Sequence, residues 1–145
     1  MTVLFALLVS LLLLRGIGAL GFATFASWPA ATRYALAVML LFTASAHFTS
    51  MKEDLIRMVP SWVPRPRVVV FITGICEILG AIGLLVPVVQ RASGIALILF
   101  FVAVFPANVR AARAGVTLRG KPATPLWIRT PMQVLFIGLI WWSTQ

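Results

Sequence analysis

The chain holds one histidine and three acidic residues, so whatever proton or polar chemistry it performs rests on very few groups. Glu53 and Asp54 stand beside Lys52 and Arg57 and read as a solvated charge cluster. Glu77 differs, because it sits in the middle of an apolar run. An unpaired carboxylate in such surroundings is very costly. Glu77 is therefore expected to be protonated, paired with a cation, or hydrogen-bonded by its neighbours. Histidine titrates near neutrality, so His47 with Glu77 could move a proton. The same two groups could hold a quinone carbonyl or another small polar head group. Asn108, Arg129 and Gln133 are further polar residues inside or at the ends of apolar runs. Arg129 and Gln133 lie four residues apart, on one helix face, and Thr43 stacks against His47 at the same spacing. These residues suggest one shared polar site of His47, Glu77, Asn108, Arg129 and Gln133. The plainer alternative is that they only tie helices together, at about 0.6 kcal/mol per interhelical hydrogen bond.

Much other chemistry is excluded. One histidine cannot build a conventional multi-histidine metal site. There is no HExxH, no P-loop and no GxSxG elbow. Gly16, Gly18 and Gly21 have a GxGxxG-like spacing but lie in an apolar segment, where they read as helix packing. Cys76 is the lone cysteine. It permits no internal disulfide and no CxxC pair, and reads as a small buried thiol. Arg15, inside the first apolar segment, reads as a structural or topological residue.

The elements that must position these residues follow from composition. Of 145 residues, 61% are hydrophobic and 10% charged, with a mean hydropathy of +1.06. Soluble domains average about 45–50% apolar and about 25% charged, so the composition implies an integral membrane protein. A helix needs about 20 mostly apolar residues to cross the hydrocarbon core. Five segments meet or approach this: 2–27, 34–51, 68–89, 92–109 and 131–142, the last able to begin near Leu126. No basic residue precedes the apolar stretch 3–14, so the first segment reads as an uncleaved membrane helix rather than a signal peptide. Trp28-Pro29 is expected to end it. Pro60, Pro64 and Pro66 punctuate the second connection, and Gln90-Arg91 marks a tight hairpin. Gly115, Gly120, Pro122 and Pro125 mark the longest polar connection, and Pro106 is expected to kink the fourth span. Glu77 then lies about ten residues into the third span, roughly 15 Å deep.

Charge sets the orientation. Connections two and four carry nine basic residues (Lys52, Arg57, Arg65, Arg67, Arg110, Arg113, Arg119, Lys121 and Arg129), whereas one and three carry Arg33 and Arg91 alone. By the positive-inside rule, the N-terminus and connections 52–67 and 110–129 face the cytoplasm. The net charge of +9 is thereby explained by topology and anionic headgroups, with no need for nucleic acid as a partner. Trp28, Trp127, Trp141 and Trp142 fit an interfacial aromatic belt. Segment 58–66, with Trp62 between prolines, reads as a lid or an interfacial stretch.

A series of short motifs carries a family resemblance. Ala46-His47-Phe48 is followed by Met58-Val59-Pro60-Ser61-Trp62-Val63-Pro64, then by Thr73-Gly74-Ile75-Cys76-Glu77-Ile78-Leu79-Gly80. Phe105-Pro106-Ala107-Asn108 and Arg129-Thr130-Pro131-Met132-Gln133 complete the series. In this order they resemble the DoxX-like integral membrane proteins. The resemblance implies an all-α fold, a polytopic helical bundle whose four-helix DoxX-like core spans 31–145, preceded by an additional N-terminal transmembrane helix in 1–30. It also implies a multi-pass protein of a bacterial inner membrane. The family name comes from a subunit linked to thiosulfate:quinone oxidoreduction, and other relatives look like accessory or assembly proteins. Three functions stay open. The first is a redox-associated, quinone-linked accessory subunit. It would take electrons from a membrane partner, since no flavin, haem or iron–sulfur motif is evident. The second is a non-enzymatic scaffold or assembly factor, and the third a small transporter acting as an oligomer. The oligomeric state is not set by the sequence.

Overall fold

A computed structural model describes residues 2–118 and 120–145. Arg119, one of the nine basic residues above, and Met1 lie outside the described residues, as does the side chain of Lys121. The chain forms helices α1 (Thr2–Ala19), α2 (Trp28–Phe48), α3 (Lys52–Met58), α4 (Pro66–Leu85), α5 (Gln90–Arg113) and α6 (Leu126–Thr144). A 3-10 turn, Ala23–Phe25, lies between α1 and α2. The all-helical expectation holds apart from a two-residue hairpin, in which Thr117 pairs with Pro122 and Leu118 with Lys121. Gly120, at φ 73°, turns it.

Several boundaries differ from expectation, each for a local reason. Trp28-Pro29 starts a helix instead of ending one. The Ser27 side chain accepts from the Ala30 N–H, and Pro29 falls in the first turn, where a missing N–H costs nothing. The first helix stops at Ala19, and Gly21, at φ 107°, turns the chain back. Pro66 likewise opens α4. The α4–α5 turn is made by Val86 to Val89, and Gln90-Arg91 already belongs to α5. That helix passes through Pro106 and continues to Arg113. The expected boundary between 30 and 31 falls in the first turn of α2.

Three helices, α1, α4 and α5, are long and apolar enough to cross a membrane. A fourth span results if α2 and α3 count as one, bent by 92°. Helices α2 and α6 fall short alone because they carry Arg33, His47, Arg129 and Gln133. Helix α2 runs through the centre and packs on α1, α4 and α6. Leu36, Met39 and Leu40 meet Leu84 of α4, Leu97 of α5, Ile140 of α6 and Leu7 of α1 in one core. Small residues let the helices close in. A Cβ on Gly80 would strike Leu97, and one on Gly94 would strike Thr144.

The helix directions fix two ends. At one, Arg33 Nη1 donates to the Ser143 carbonyl over 2.7 Å, which places the start of α2 against the end of α6. At the other lie the ends of α2 and α5 and the starts of α4 and α6. Helix α3 lies against this second end. Arg67 reaches back to both carboxylate oxygens of Glu53 at 3.1 and 3.3 Å, Arg57 pairs with Asp54, and Arg110 Nε donates to the Arg57 carbonyl. Arg15 closes the α1–α2 turn. Its Nη1 donates to the Phe25 and Ala26 carbonyls at 3.0 and 2.9 Å, and its guanidinium sits over Trp28. Cys76, expected to be buried, is exposed. It lies on the outer groove between α4 and α5, one residue round the helix from the buried Glu77.

Candidate functional site

The five candidate residues lie between the second end of the bundle and the middle of α4, in two sets. The first joins α2 to α4. His47 Nε2 lies 3.4 Å from Glu77 Oε1, with both side chains nearly buried. His47 Nδ1 lies 2.7 Å from the Val70 carbonyl oxygen. A carbonyl only accepts, so Nδ1 carries a hydrogen. Nε2 therefore faces Glu77, and a single proton between Nε2 and Oε1 leaves the pair net neutral whichever atom holds it. Burial favours that arrangement, since an isolated charge here is far costlier than a paired one. The Thr43 hydroxyl reaches Glu77 Oε2 at 2.7 Å and the Leu40 carbonyl at 3.0 Å. Thr73 donates to the Val70 carbonyl and lies 3.3 Å from His47 Nδ1.

Gly74 makes this geometry reachable. A Cβ there would stand 2.6 Å from His47 Cβ and 2.9 Å from Cγ, so glycine lets the imidazole lie against the α4 backbone. Phe48 and Phe71 close over the outside, edge to face at 5.7 Å.

The second set joins α5 to α6. Arg129 Nη1 donates to Asn108 Oδ1 at 2.6 Å, and Arg129 Nε to the Thr124 carbonyl at 2.9 Å. Asn108 Nδ2 donates to Gln133 Oε1 at 3.3 Å, and Gln133 Nε2 to the Phe101 carbonyl at 2.7 Å. Both helices carry an internal proline at this level, Pro106 and Pro131. A proline removes a backbone donor and bends its helix, and neighbouring side chains commonly make good the loss. Pro106 leaves the Val102 carbonyl without its helical donor, whereas the Phe101 carbonyl keeps the Phe105 N–H of its own helix and takes the Gln133 amide as a second donor.

Among the described residues, no hydrogen bond or ion pair links the two sets, and no three of His, Cys, Asp and Glu come together as metal ligands would. Sequence reasoning did not anticipate the backbone acceptors at Val70, Phe101 and Thr124. Nothing in the residue types marks them, since every residue has a carbonyl. Two shallow grooves flank the sets. One of about 180 Å³ lies between α5 and α6, with Thr130 and Gln133 in its wall. The other, of about 260 Å³, lies between α4 and α5 beside Cys76.

A family model described as a domain of unknown function (DUF8561) matches residues 36–144. The match takes in both polar sets and leaves α1 outside. No curated protein and no solved structure matches the chain.

Proposed function

The chain belongs to the DUF8561 family, and from that premise and the site geometry we propose a DoxX-like, multi-pass protein of a bacterial inner membrane that acts as a redox-associated, quinone-linked accessory subunit. Five helices, α1, α2, α4, α5 and α6, cross the bilayer in this proposal, and α3 lies along its cytoplasmic surface. The outer face supports this placement. Phe5, Leu12, Phe71, Leu79, Leu99 and Val102 are all exposed, an apolar surface that water would not tolerate but lipid would. The basic residues of connections 52–67 and 110–129 face the cytoplasm.

The observation that carries the functional reading is the His47–Glu77 pair. An ionisable pair inside a span is costly and marks proton or ligand pathways. A quinone reduced by two electrons from a membrane partner takes up two protons. A pair that holds one proton between Nε2 and Oε1 can pass it on and be refilled from the nearby cytoplasmic end. A photoactivatable quinone analogue, added to membranes containing the full chain, tests this. Label is expected on 43–48 and 70–77, with loss on Glu77→Ala at unchanged protein level. Label that never reaches these segments overturns the reading.

The second set favours a scaffold or assembly role as an alternative. Arg129, Asn108 and Gln133 satisfy one another and clamp α5 to α6, as interhelical polar bonds do. A partner retained through mild detergent extraction supports that role. A strictly monomeric protein without one opposes it.

A further inference from the structure

Three chemistries follow one another along one side of α6. Arg129 comes first. Its Nε and one Nη1 hydrogen are taken by neutral oxygens, while Nη2 makes no hydrogen bond to the described protein and the side chain is half-buried. Among the described residues no acid pairs with it: Glu53 pairs with Arg67, Asp54 with Arg57 and Glu77 with His47. Thr130 and Gln133 come next, in the wall of the α5–α6 groove. Thr130 is exposed and its hydroxyl has no partner among the described residues. Gln133 has given one amide hydrogen to the Phe101 carbonyl and keeps a second. Val134 and Ile137 follow, facing Val102 and Phe105 across the groove. At 1.5 Å per residue, Gln133 stands about 6 Å and Ile137 about 12 Å along the axis from Arg129.

A cation, then hydrogen-bond donors, then an apolar cleft match phosphate, ester carbonyl and acyl chain in a phospholipid lying along the bilayer normal. We propose that the α5–α6 groove holds one anionic phospholipid, its phosphate on Arg129, an ester carbonyl on Thr130 and Gln133, and the start of one acyl chain between Val102, Phe105, Val134 and Ile137. A groove of about 180 Å³ takes a stretch of one chain and leaves the other in the bilayer. Net negative headgroups are favoured over zwitterionic ones because Arg110 and Arg113, at the neighbouring end of α5, also have no acid partner in the described protein. The proposal rests on the membrane placement above and not on the His47–Glu77 pair.

The test uses the full chain in non-ionic detergent, with dioctanoyl phosphatidylglycerol or dioctanoyl phosphatidylcholine added and bound lipid counted by native mass spectrometry. One phosphatidylglycerol is expected to bind about tenfold more tightly than phosphatidylcholine, as a charge-assisted contact would give. Arg129→Gln weakens both lipids, since both carry the phosphate it holds, and Arg110→Gln with Arg113→Gln removes the preference. Thr130→Val, exposed and outside the Arg129 hydrogen bonds, weakens both lipids about threefold or more. Ile137→Trp fills the cleft and blocks both. Equal binding of the two lipids by the wild type, or full binding by Ile137→Trp, overturns the proposal. So does displacement of the lipid by millimolar inorganic phosphate. Release of the protein from membranes by alkaline carbonate would overturn the membrane placement itself. Absent lipid selectivity in carbonate-resistant protein overturns this proposal alone.

Discussion

Gly74→Ala should pull apart the α2–α4 contact that aligns His47 with Glu77. The new Cβ would stand 2.6 Å from His47 Cβ and 3.0 Å from Phe48 Cε2. Carbon atoms settle at about 3.5–4.0 Å, so the helices must separate locally by about 0.9 Å. His47 Cβ is close to its own backbone and cannot swing away as a side-chain tip would. The same shift stretches the 2.7 Å contact from His47 Nδ1 to the Val70 carbonyl to about 3.6 Å, beyond hydrogen-bond range. Overpacking costs about 1–3 kcal/mol, and the lost hydrogen bond about 1 kcal/mol more. Against this stands a gain of about 0.5–1 kcal/mol from replacing a helical glycine. The net effect is a loss of about 1–3.5 kcal/mol. Gly138 is the control: nothing lies within 4 Å of a Cβ placed there, so Gly138→Ala should keep only the gain. Thermal unfolding in detergent, followed by circular dichroism, should move the two variants in opposite directions, each kcal/mol shifting the midpoint by about 2–4 °C. A Gly74→Ala protein as stable as Gly138→Ala would refute the reasoning.

Two further substitutions probe the other polar contacts. Asn108→Leu removes the link between Arg129 and Gln133 and strands Gln133 Oε1, so stability should fall by about 1–3 kcal/mol in the same unfolding assay. Adding Gln133→Leu removes the stranded Oε1 and should restore part of that loss, because the Phe101 carbonyl keeps the Phe105 N–H of its own helix. Arg15→Ala removes two carbonyl contacts and the stacking on Trp28, so limited proteolysis should cut within 20–27 faster than in the wild type, with α4–α6 unaffected.

Sequence patterning revealed the all-helical character, because apolar runs broken by proline and glycine leave few alternatives. It misplaced Pro29 and Pro66 because proline both stops a helix and starts one, and only the Ser27 cap decides the first case. It buried Cys76 because hydropathy reports a residue's type and not the face it occupies. The polar residues were gathered by their depth along the spans, which placed all five in one half of the bundle. Depth does not say which helices are neighbours. The pairing of α2 with α4 and of α5 with α6 is what divides them into His47–Glu77 and Arg129–Asn108–Gln133. Backbone acceptors such as Val70 and Phe101 are invisible to residue-type reasoning, since every residue has a carbonyl.

The chain has a single histidine, so nitrogen-15 NMR of histidine-labelled protein in detergent or bilayer reads His47 alone. The account predicts a protonated Nδ1 held by Val70 and an Nε2 resonance that moves on Glu77→Gln, because that substitution takes away the carboxyl group sharing the proton. An Nε2 signal identical in the wild type and Glu77→Gln, or a bare Nδ1, would contradict a proton held between these two residues.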